Sequence, residues 1–374
     1  MKIVVTGSHF TPAQAVIEQL QKNAAAEIVY IGRKYTREGD QTPSVESQVI
    51  PALGVRFIPV TSGRLQRKFT PYTIPSLLKI PFGLCQAFWI LLWEQPAVVL
   101  SFGGYSSVPV VVAAWLLSIP VIIHEQTLAA GLADKIGALF ADKIALSFAD
   151  SKRSGSKFVL TGNPIRQGLL RRRNAGSRQY ANFLKNSRSA GLPVVLVTAG
   201  NQGSHSINLA VEGGLTKLTE AAFVVHQTGD SKFADFERLE QAGPSLPHSE
   251  RYLVRKWIEA EDFGFLLRHT DLAVARGGVN TLLELAFFEV PTLVIPLPFL
   301  PEQRLNAQFF TDMGLAKILH QSNLTPENLA DTVGEMLSEG EALKQKAKMS
   351  GSLVIHDSAR RLSQETLILA EKNV

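Results

Sequence analysis

The sequence predicts an α/β protein with two domains, each built on a parallel β-sheet that is covered by helices on both faces. Short apolar segments alternate with amphipathic stretches from one end of the chain to the other, which is the pattern of strands and covering helices. The apolar segments are continuous, as expected for strands that are buried on both faces. The chain has 374 residues, which is about twice the length of an ordinary domain.

The first predicted domain begins with a buried strand at Lys2–Thr6 that leads into a helix at Pro12–Lys22. Helical segments lie between most of the strands that follow, as a parallel sheet requires. The further predicted strands of this domain are Ile28–Ile31, Ala97–Leu100, Val121–Ile123, Lys143–Leu146 and Phe158–Thr161.

The alternation is interrupted near Asn163-Pro164, where a basic and polar stretch follows at residues 166–188. The α/β pattern restarts after it, so we predict one domain at residues 1–165 and a second at residues 166–374. The last amphipathic helix, about Asp357–Glu371, fits the surface of either domain.

The second predicted domain has helices at Gly203–Glu212 and Thr281–Phe288. Each follows a short apolar segment, as in the first domain. The predicted strands of this domain are Pro193–Thr198, Phe223–His226, Leu272–Ala275 and Thr292–Pro296.

Composition limits the class of ligand. Hydrophobic residues make up 45% and charged residues 19% of the chain, which excludes a disordered protein. The net charge of +5 favours anionic small molecules or an anionic membrane surface over a nucleic-acid partner. The single cysteine, Cys85, excludes an internal disulfide and a cysteine-based zinc site. The opening MKIVVTGSH lacks the pattern of a signal peptide.

Four glycine-containing turns follow apolar strands and open helices. In open α/β sheets, ligands bind beyond the carboxyl ends of the strands, and glycine lets a phosphate approach a helix N-terminus. One such turn alone is ordinary strand-to-helix geometry, whereas four favour a phosphate-bearing ligand. None matches GxGxxG or GxxxxGKS/T, so neither NAD nor a P-loop nucleotide is indicated. The turns are Thr6–His9, Gly103–Ser107, Ala199–Ser204 and Arg276–Thr281.

Polar side chains also stand near these strand ends. The triplet His124-Glu125-Gln126 directly follows an apolar strand and suits a crevice better than a core. Glu284 lies three residues after Thr281, so its carboxylate either binds sugar hydroxyls or complements the helix dipole. His9 is either a general base or a capping residue. No metal-ligand spacing links the eight histidines.

These motifs resemble those of the MurG glycosyltransferases, the family-28 enzymes that join GlcNAc to lipid I in peptidoglycan synthesis. The match runs in order along nearly the whole chain. Gly103–Pro109 is similar to the family's GGYxSxP, His124–Thr127 to HEQN and Gly162–Arg166 to GNPVR. The other matches are Gly7–Ala13 (GGTGGHxxPA), Ser62–Leu65 (SGKL), Gly200–Gly203 (GSQG), Arg276–Glu284 (RSGAxTxxE) and Gln303–Asn306 (HQxxNA).

The resemblance implies a GT-B fold, in which two Rossmann-like domains face each other across a cleft. It places UDP-GlcNAc in the C-terminal domain and the acceptor in the N-terminal, membrane-side domain. By the same resemblance, the backbone at Ile258 faces uracil, Glu284 binds ribose and Gln303 binds the GlcNAc hydroxyls. The nucleotide and its diphosphate are then held by Asn201, Arg166, Val279, Asn280 and Thr281.

On the acceptor side, the resemblance makes His9 the first candidate for the catalytic base and Glu125 the second. The implied reaction is an inverting transfer of GlcNAc to the muramyl C4 hydroxyl of lipid I. We expect no metal and no cofactor, because no DxD-type acidic pair stands out. The remaining acceptor-side residues are Thr6, Gly7, Ser8, Gln126 and Thr127.

The chain departs from the family pattern in its first glycine loop, where Thr6–His9 replaces a longer run of glycines. By the resemblance, that loop contacts the acceptor diphosphate, so its change leaves the identity of the acceptor open. A diacylglycerol glycosyltransferase is therefore an alternative function. An inactive UDP-sugar-binding partner of a cell-wall complex is another. Thr127 stands where the family has Asn, and Asn201 and Gly277 stand where it has Ser.

The apolar segment Ile80–Trp93 is too short to span a bilayer, which takes about 20 apolar residues. Its tryptophans and its basic neighbours Arg64, Arg67, Lys68 and Lys79 favour an interfacial patch, and a core helix is the alternative. We therefore expect a peripheral protein on the cytoplasmic face of the cell membrane. The expected partners are UDP-GlcNAc, lipid I, an anionic inner-membrane surface and a cell-wall synthesis complex, but no nucleic acid.

Overall fold

The computed structural model describes residues 1–22, 26–35, 43–63, 73–128, 131–150, 153–171, 177–200, 202–230, 232–351 and 354–372. For residues 73–78, 350 and 351 it describes the backbone alone. The chain divides into two compact units. Unit 1 comprises Met1–Arg166 and Ile355–Val374, and unit 2 comprises Gln167–Val354.

The described part of unit 1 forms a sheet of seven strands, all paired in parallel. The strands are β1 (Lys2–Thr6), β2 (Glu27–Gly32), β3 (Arg56–Pro59), β4 (Val98–Ser101), β5 (Val121–Glu125), β6 (Lys143–Leu146) and β7 (Phe158–Leu160). Their order across the sheet is β3-β2-β1-β4-β5-β6-β7. The order changes direction between β1 and β4, which is where open α/β sheets form a ligand-binding crevice.

Two apolar layers lie on opposite faces of this sheet. Side chains alternate along β1, so that Ile3 and Val5 enter one layer and Val4 enters the other. The first layer contains buried side chains of α1 (Phe10–Leu20) and α2 (Val45–Ala52). The second contains those of α3 (Thr73–Glu94) and α4 (Val108–Leu116), and α5 (Leu132–Phe140) packs at its margin.

The described part of unit 2 forms a second parallel sheet, of six strands in the order β10-β9-β8-β11-β12-β13. These strands are β8 (Val194–Thr198), β9 (Phe223–Gln227), β10 (Tyr252–Arg255), β11 (Leu272–Ala275), β12 (Thr292–Val294) and β13 (Ala316–Ile318). The helices are α6 (Gln167–Leu170), α7 (Arg178–Ala190), α8 (His205–Ala221), α9 (Asp235–Ala242), α10 (Ala260–Leu267), α11 (Val279–Phe287), α12 (Pro301–Asp312), α13 (Pro326–Ser338) and α14 (Gly340–Gly351).

The last helix, α15 (Ser358–Glu371), belongs to unit 1, to which the chain returns at Ile355 after unit 2. Leu362 and Ala370 are fully buried in the layer that also contains α1. Ser358 Oγ donates a hydrogen bond to the carbonyl oxygen of Asn163 at 2.8 Å. These contacts fix α15 on the first sheet.

The predicted fold class is confirmed, because both sheets are parallel and are covered by helices. Three strands, β3, β10 and β13, have no counterpart among the predicted ones, and all three lie at sheet edges. The side chains of β3 and β13 are exposed or only partly buried. Such strands lack the continuous apolar run that marks a strand buried on both faces.

Candidate functional sites in the two units

Two glycine turns meet at the carboxyl ends of β1 and β4 in unit 1. The backbone N–H of Ser8 donates to the carbonyl oxygen of Gly103 at 3.0 Å. A Cβ atom at Gly7 would lie 2.8 Å from the carbonyl carbon of Phe102, and one at Gly104 would lie 1.7 Å from Ser8 Oγ. The φ angles of Gly7 and Gly104 are +135° and +82°, which side chains rarely adopt. The short first turn is therefore packed directly on the second.

Buried polar atoms without a hydrogen-bond partner gather at the same edge of the sheet. Among the described residues of unit 1, these include Thr6 Oγ1, Ser106 Oγ, His124 Nδ1 and Gln126 Oε1. They belong to β1 and β5 or to the turns after β4 and β5, and these strands are neighbours. Because buried polar groups are normally hydrogen-bonded, this cluster has the chemistry to hold a polar ligand.

His9 precedes α1 as its N-cap residue, but its side chain makes no capping hydrogen bond. The ring lies beside Asp134: a Cβ atom at Gly103 would be 2.2 Å from Asp134 Oδ1 and 3.5 Å from His9 Cδ2. Burial lowers the pKa of His9, the negative charge of Asp134 opposes this shift, and the positive charge of Arg33 adds to it. An imidazole that stays neutral at neutral pH is able to accept a proton.

Glu125 ends β5 and is buried. One carboxylate oxygen, Oε1, accepts a hydrogen bond from Thr127 Oγ1 at 3.2 Å, and the other, Oε2, lies 3.5 Å from Arg153 Nη1. Burial raises the pKa of Glu125, with Asp134 acting in the same direction and Arg153 and Thr127 against it. Both Glu125 oxygens are thus engaged, one in a hydrogen bond and one in an ion pair.

Three charged residues that sequence reasoning missed complete this part of unit 1: Arg33, Asp134 and Arg153. Arg33 Nη1 donates to the Tyr105 hydroxyl at 2.9 Å, and Asp134 Oδ1 accepts the N–H of Gly104 at 3.1 Å. Arg33 directly follows β2. It could have been found in the same way as His124, because polar residues at the carboxyl ends of parallel strands line the ligand-binding crevice. No motif marks Asp134 or Arg153, which lie in α5 and in a loop.

The apolar segment Ile80–Trp93, predicted to be either an interfacial patch or a core helix, forms part of α3 and has features of both. Ala87 and Leu91 are fully buried against the sheet, whereas Trp89 and Trp93 are 59% and 82% exposed. The helix therefore belongs to the core on one side and presents aromatic side chains on the other. Within the described ranges, no helix is long and apolar enough to cross a membrane.

Exposed apolar side chains also occur on the neighbouring helices α4 and α5. Trp115 is 54% exposed on α4, and Leu139 is 77% exposed on α5. Lys79 is exposed at the beginning of the apolar segment. The other predicted basic neighbours, Arg64, Arg67 and Lys68, lie outside the described residues.

An apolar groove of about 160 Å³ lies between α3, α4 and α5. Tyr105, which follows the glycines of the second turn, forms part of its wall. The groove therefore lies next to the turn that carries Gly104. Its apolar walls include Ile80, Leu84, Val112, Leu132 and Ile136.

A pocket of about 480 Å³ lies at the carboxyl ends of β8 and β11 in unit 2. The segment 202–206, which opens α8, forms one wall, and Gly278 and Thr281 at the start of α11 form another. Gln303 of α12 also lines the pocket. The N-termini of two helices thus converge on one pocket, an arrangement that favours an anion.

Arg276 lines this pocket and is 9% exposed. Its Nη2 donates to Ser204 Oγ and Ser206 Oγ at 2.5 and 2.6 Å, and its Nη1 donates to Gln321 Oε1 at 2.8 Å. Among the residues that the structure describes, no carboxylate pairs with it. Burial lowers the pKa of Arg276 to about 10, so the guanidinium remains charged at neutral pH. A buried cation without a counter-ion has the chemistry to bind an anion.

The structure brings together two of the predicted donor-site residues, Thr281 and Gln303, in the wall of this pocket. Gln303 Oε1 accepts the N–H of Leu297 at 3.0 Å, which directs its amide oxygen toward the protein. Gly277, where the family has Ser, packs so closely on Gln303 that a Cβ atom would lie 2.5 Å from the Gln303 carbonyl oxygen. Asn306 Nδ2 donates to the Gly277 carbonyl oxygen at 3.0 Å and holds the turn.

Other predicted donor-site residues are not part of the pocket wall. Val279 and Glu284 are buried in α11, and Asn280 lies between Val279 and Thr281 at the start of that helix. Ile258 is buried, and its N–H donates to Gln227 Oε1 at 3.2 Å. Arg166 is the last residue of the first segment of unit 1, and Asn201 lies outside the described residues.

Sequence reasoning missed several residues of the pocket in unit 2. The sequence indicates Arg276 only as part of a motif, and no pattern indicates His205, Ser206 or Gln321. Gln321 follows β13, an edge strand that the apolar pattern does not reveal. Within the described residues, no three His, Cys, Asp or Glu side chains cluster as a metal site.

Comparison with known proteins matches the two halves of the chain to two family models. Residues 3–146 match the glycosyltransferase family 28 N-terminal domain, and residues 194–364 match the glycosyltransferase family 28 C-terminal domain. The first range contains His9 and Glu125, and the second contains the pocket of unit 2.

Two curated relatives have the same name, UDP-N-acetylglucosamine--N-acetylmuramyl-(pentapeptide) pyrophosphoryl-undecaprenol N-acetylglucosamine transferase. The protein of Shouchella clausii is 34% identical over 345 residues, which cover 90% of this chain and 90% of the relative. The protein of Clostridium kluyveri is 32% identical over 344 residues, which cover 90% of this chain and 91% of the relative.

Solved structures share the fold. MurG of Acinetobacter baumannii superimposes with a TM-score of 0.73 at 22% identity, covering 98% of this chain and 99% of that one. UDP-GlcNAc 2-epimerase of Neisseria meningitidis bound to UDP-GlcNAc superimposes with a TM-score of 0.64 at 15% identity, covering 98% and 100%. At these identities the likeness concerns the fold.

Proposed function

The chain belongs to glycosyltransferase family 28, and on that basis we propose that it transfers GlcNAc from UDP-GlcNAc to the muramyl C4 hydroxyl of lipid I. Relatives named for this N-acetylglucosamine transfer align over 90% of the chain. The observation that carries the proposal is Arg276, a buried cation that lines the pocket of unit 2 without a carboxylate partner among the described residues. Such a guanidinium suits the diphosphate of a nucleotide sugar.

The diphosphate of UDP-GlcNAc is assigned to the N-termini of α8 and α11. As the bond between the anomeric carbon and the UDP oxygen breaks, negative charge grows on this diphosphate, and backbone N–H groups together with Arg276 stabilise it. Thr281 stands at the start of α11 and offers a hydroxyl to the same group. Gln303 uses its amide oxygen within the protein, so its NH₂ group is the one available to the GlcNAc hydroxyls.

The uridine end of the donor is assigned to residues beyond the pocket wall. Glu284 binds the ribose hydroxyls, and Ile258 presents its backbone to uracil. Because the N–H of Ile258 is held by Gln227, its carbonyl oxygen is the group that accepts from the ring N–H of uracil. Further donor contacts are assigned to Arg166, Asn201, Val279 and Asn280.

The acceptor diphosphate is assigned to the two packed glycine turns of unit 1. Gly7, Ser8 and Gly104 let it approach the backbone closely. The unpartnered hydroxyl of Thr6 and the unpartnered amide oxygen of Gln126 lie at the same edge and supply hydrogen bonds to the muramyl group. Thr127, whose hydroxyl donates a hydrogen bond to Glu125, is assigned to the same acceptor site.

His9 is the proposed general base. The C4 hydroxyl of the acceptor attacks the anomeric carbon, a new C–O bond forms, and the bond to the UDP oxygen breaks with inversion. The hydroxyl proton passes to the His9 imidazole, which the lowered pKa keeps neutral and ready to accept it. Both Glu125 oxygens already contact Thr127 or Arg153, so Glu125 is assigned to shaping the acceptor side.

The exposed apolar side chains of α3, α4 and α5 are proposed to rest in the membrane interface at its cytoplasmic face. Trp89 and Trp93 supply the aromatic anchors, and the exposed Lys79 favours anionic lipids. The apolar groove between these helices receives the part of the prenyl chain next to the diphosphate. A cavity of similar size, about 150 Å³, holds a benzene molecule, so the groove has room for about one isoprene unit.

A turnover assay with two acceptors tests this function. The full chain is incubated with UDP-GlcNAc and either a short-chain lipid I analogue or diacylglycerol, with and without EDTA. We expect transfer to the lipid I analogue at a rate that EDTA does not change. Preferred transfer to diacylglycerol would favour the alternative acceptor, and donor binding without turnover would favour an inactive UDP-sugar-binding protein.

A further inference from the structure

His205 is the first residue of α8 and lines the pocket of unit 2. Its Nδ1 lies 2.7 Å from Asp235 Oδ1, and the Asp235 side chain is fully buried. The His205 ring also stacks on Phe233, with ring centroids 4.0 Å apart and an interplanar angle of 17°. A hydrogen bond and a stacking contact together fix the position and the rotation of this ring.

The carboxylate that orients His205 has other partners as well. Arg238 Nη2 donates to Asp235 Oδ1 at 2.7 Å, and Asn208 Nδ2 donates to Asp235 Oδ2 at 2.9 Å. Asn208 Oδ1 in turn lies 3.0 Å from His226 Nε2. Because Asp235 is satisfied by these groups, its burial does not depend on His205.

The second ring nitrogen of His205, Nε2, has no hydrogen-bond partner among the residues that the structure describes, and the side chain is 32% exposed. Arg276 and Ser206 line the same pocket at the N-terminus of α8. The charged groups near the ring include Asp235 and Arg238 on α9. Lys232 is another, because its Nζ lies 5.3 Å from the centroid of the Phe233 ring on which His205 stacks. Histidines that bind a ligand through one ring nitrogen are commonly held by a carboxylate at the other, as in metal sites, and His205 has this arrangement.

We propose that His205 is a phosphate-binding residue for the donor diphosphate and that Asp235 is its positioning residue. With Nδ1–H donating to Asp235, the ring presents Nε2 to the pocket. A phosphate oxygen opposite Nε2 accepts a hydrogen bond from the ring, so that the imidazole bridges the Asp235 carboxylate and the phosphate. This inference rests on the proposed function, because it takes a nucleoside diphosphate to be the ligand of the pocket.

Calorimetric titration of the full chain with UDP and with uridine tests the assignment. H205Q should bind UDP about tenfold more weakly than the wild type, because a charge-assisted hydrogen bond is lost, and should bind uridine unchanged. H248Q is the matched control, since His248 is a histidine outside the pocket wall, and it should bind both ligands like the wild type. Equal UDP affinity in H205Q and the wild type would overturn the inference, and so would an equal loss of uridine affinity.

A double-mutant cycle separates positioning from stability. D235N should also weaken UDP binding relative to the wild type. The double variant, however, should bind UDP less than about threefold more weakly than H205Q alone, because both changes remove the same contact. Melting temperatures of the four proteins report any loss of fold separately. Additive losses in UDP affinity would remove Asp235 from its positioning role. If the wild type itself does not bind UDP, the proposed function fails together with this inference, whereas equal binding by wild type and H205Q defeats the inference alone.

Discussion

Ser8 and Gly104 are packed so closely that a Cβ atom at position 104 would lie 1.7 Å from Ser8 Oγ. Ser8 also donates its backbone N–H to Gly103. The shortened first glycine turn thus gains its shape from the second turn, which follows a different strand. This contact joins β1 and β4 at the place where the strand order changes direction.

Gly104→Ala should impair use of the acceptor. The φ angle of +82° alone costs about 1–2 kcal/mol with a side chain, and Ser8 must also move. We expect kcat/KM for the lipid I analogue to fall by about tenfold or more while UDP affinity stays unchanged. The matched control is Gly54→Ala, which has a φ angle of +74° and nothing within 4 Å of the added Cβ. A similar loss of turnover in both variants would mean that backbone strain, not the contact with Ser8, is responsible.

His9→Ala should lower kcat by about 10²–10⁴-fold and leave UDP-GlcNAc affinity nearly intact, because a general base acts on the acceptor hydroxyl. The pKa of His9 is lowered by burial from 6.5, so the neutral base already dominates above that pH. In the wild type, kcat should therefore fall only as the pH drops below 6.5, and the variant should lack this acid limb. Near-normal turnover with a lowered melting temperature would contradict the catalytic role and transfer it to Glu125.

Replacing Trp89 and Trp93 with serine should reduce binding to vesicles that contain anionic lipids by about tenfold or more, because two interfacial aromatic anchors are lost. Both side chains are largely exposed, so the melting temperature and the UDP affinity should not change. Trp257→Ser is the control, since Trp257 is a partly exposed tryptophan of unit 2. Unfolding of the double variant would show that the two tryptophans belong to the core.

His226 should make the protein sensitive to acid. The residue is fully buried, and burial lowers its pKa to about 3, from 6.5. Between these values the unfolded chain binds a proton that the folded chain does not, so stability is lost as the pH falls. This titration lowers the free energy of unfolding by about 2 kcal/mol between pH 7 and pH 5. In urea titrations, the difference in free energy of unfolding between the wild type and H226Q should decrease by this amount from pH 7 to pH 5. A difference that is the same at both pH values would contradict the expected role of His226.

The central strands could be predicted from the sequence because they are buried on both faces and form continuous apolar runs. β3 and β13 could not, since their side chains are exposed or partly buried at sheet edges. α15 is apolar along one side, but its sequence does not indicate which sheet it covers. Only the contacts of Leu362 and Ser358 determine that.

The position of the candidate sites could also be predicted, because glycine turns and polar residues follow the ends of apolar strands. The partners within each site could not. Asp134 reaches the Gly104 turn from α5, and Asp235 meets His205 from another helix. These contacts depend on how helices lie on the sheet, which local sequence patterns do not encode.

The linkage formed in a single reaction tests the account most directly. The full chain is incubated with UDP-GlcNAc, in which the sugar is α-linked, and a short-chain lipid I analogue, and the purified product is analysed by NMR. The account predicts one new GlcNAc residue, β-linked to the C4 oxygen of the muramyl sugar, and an equal amount of UDP. An α-linkage, a different acceptor atom, or UDP release without a glycosylated product would contradict it.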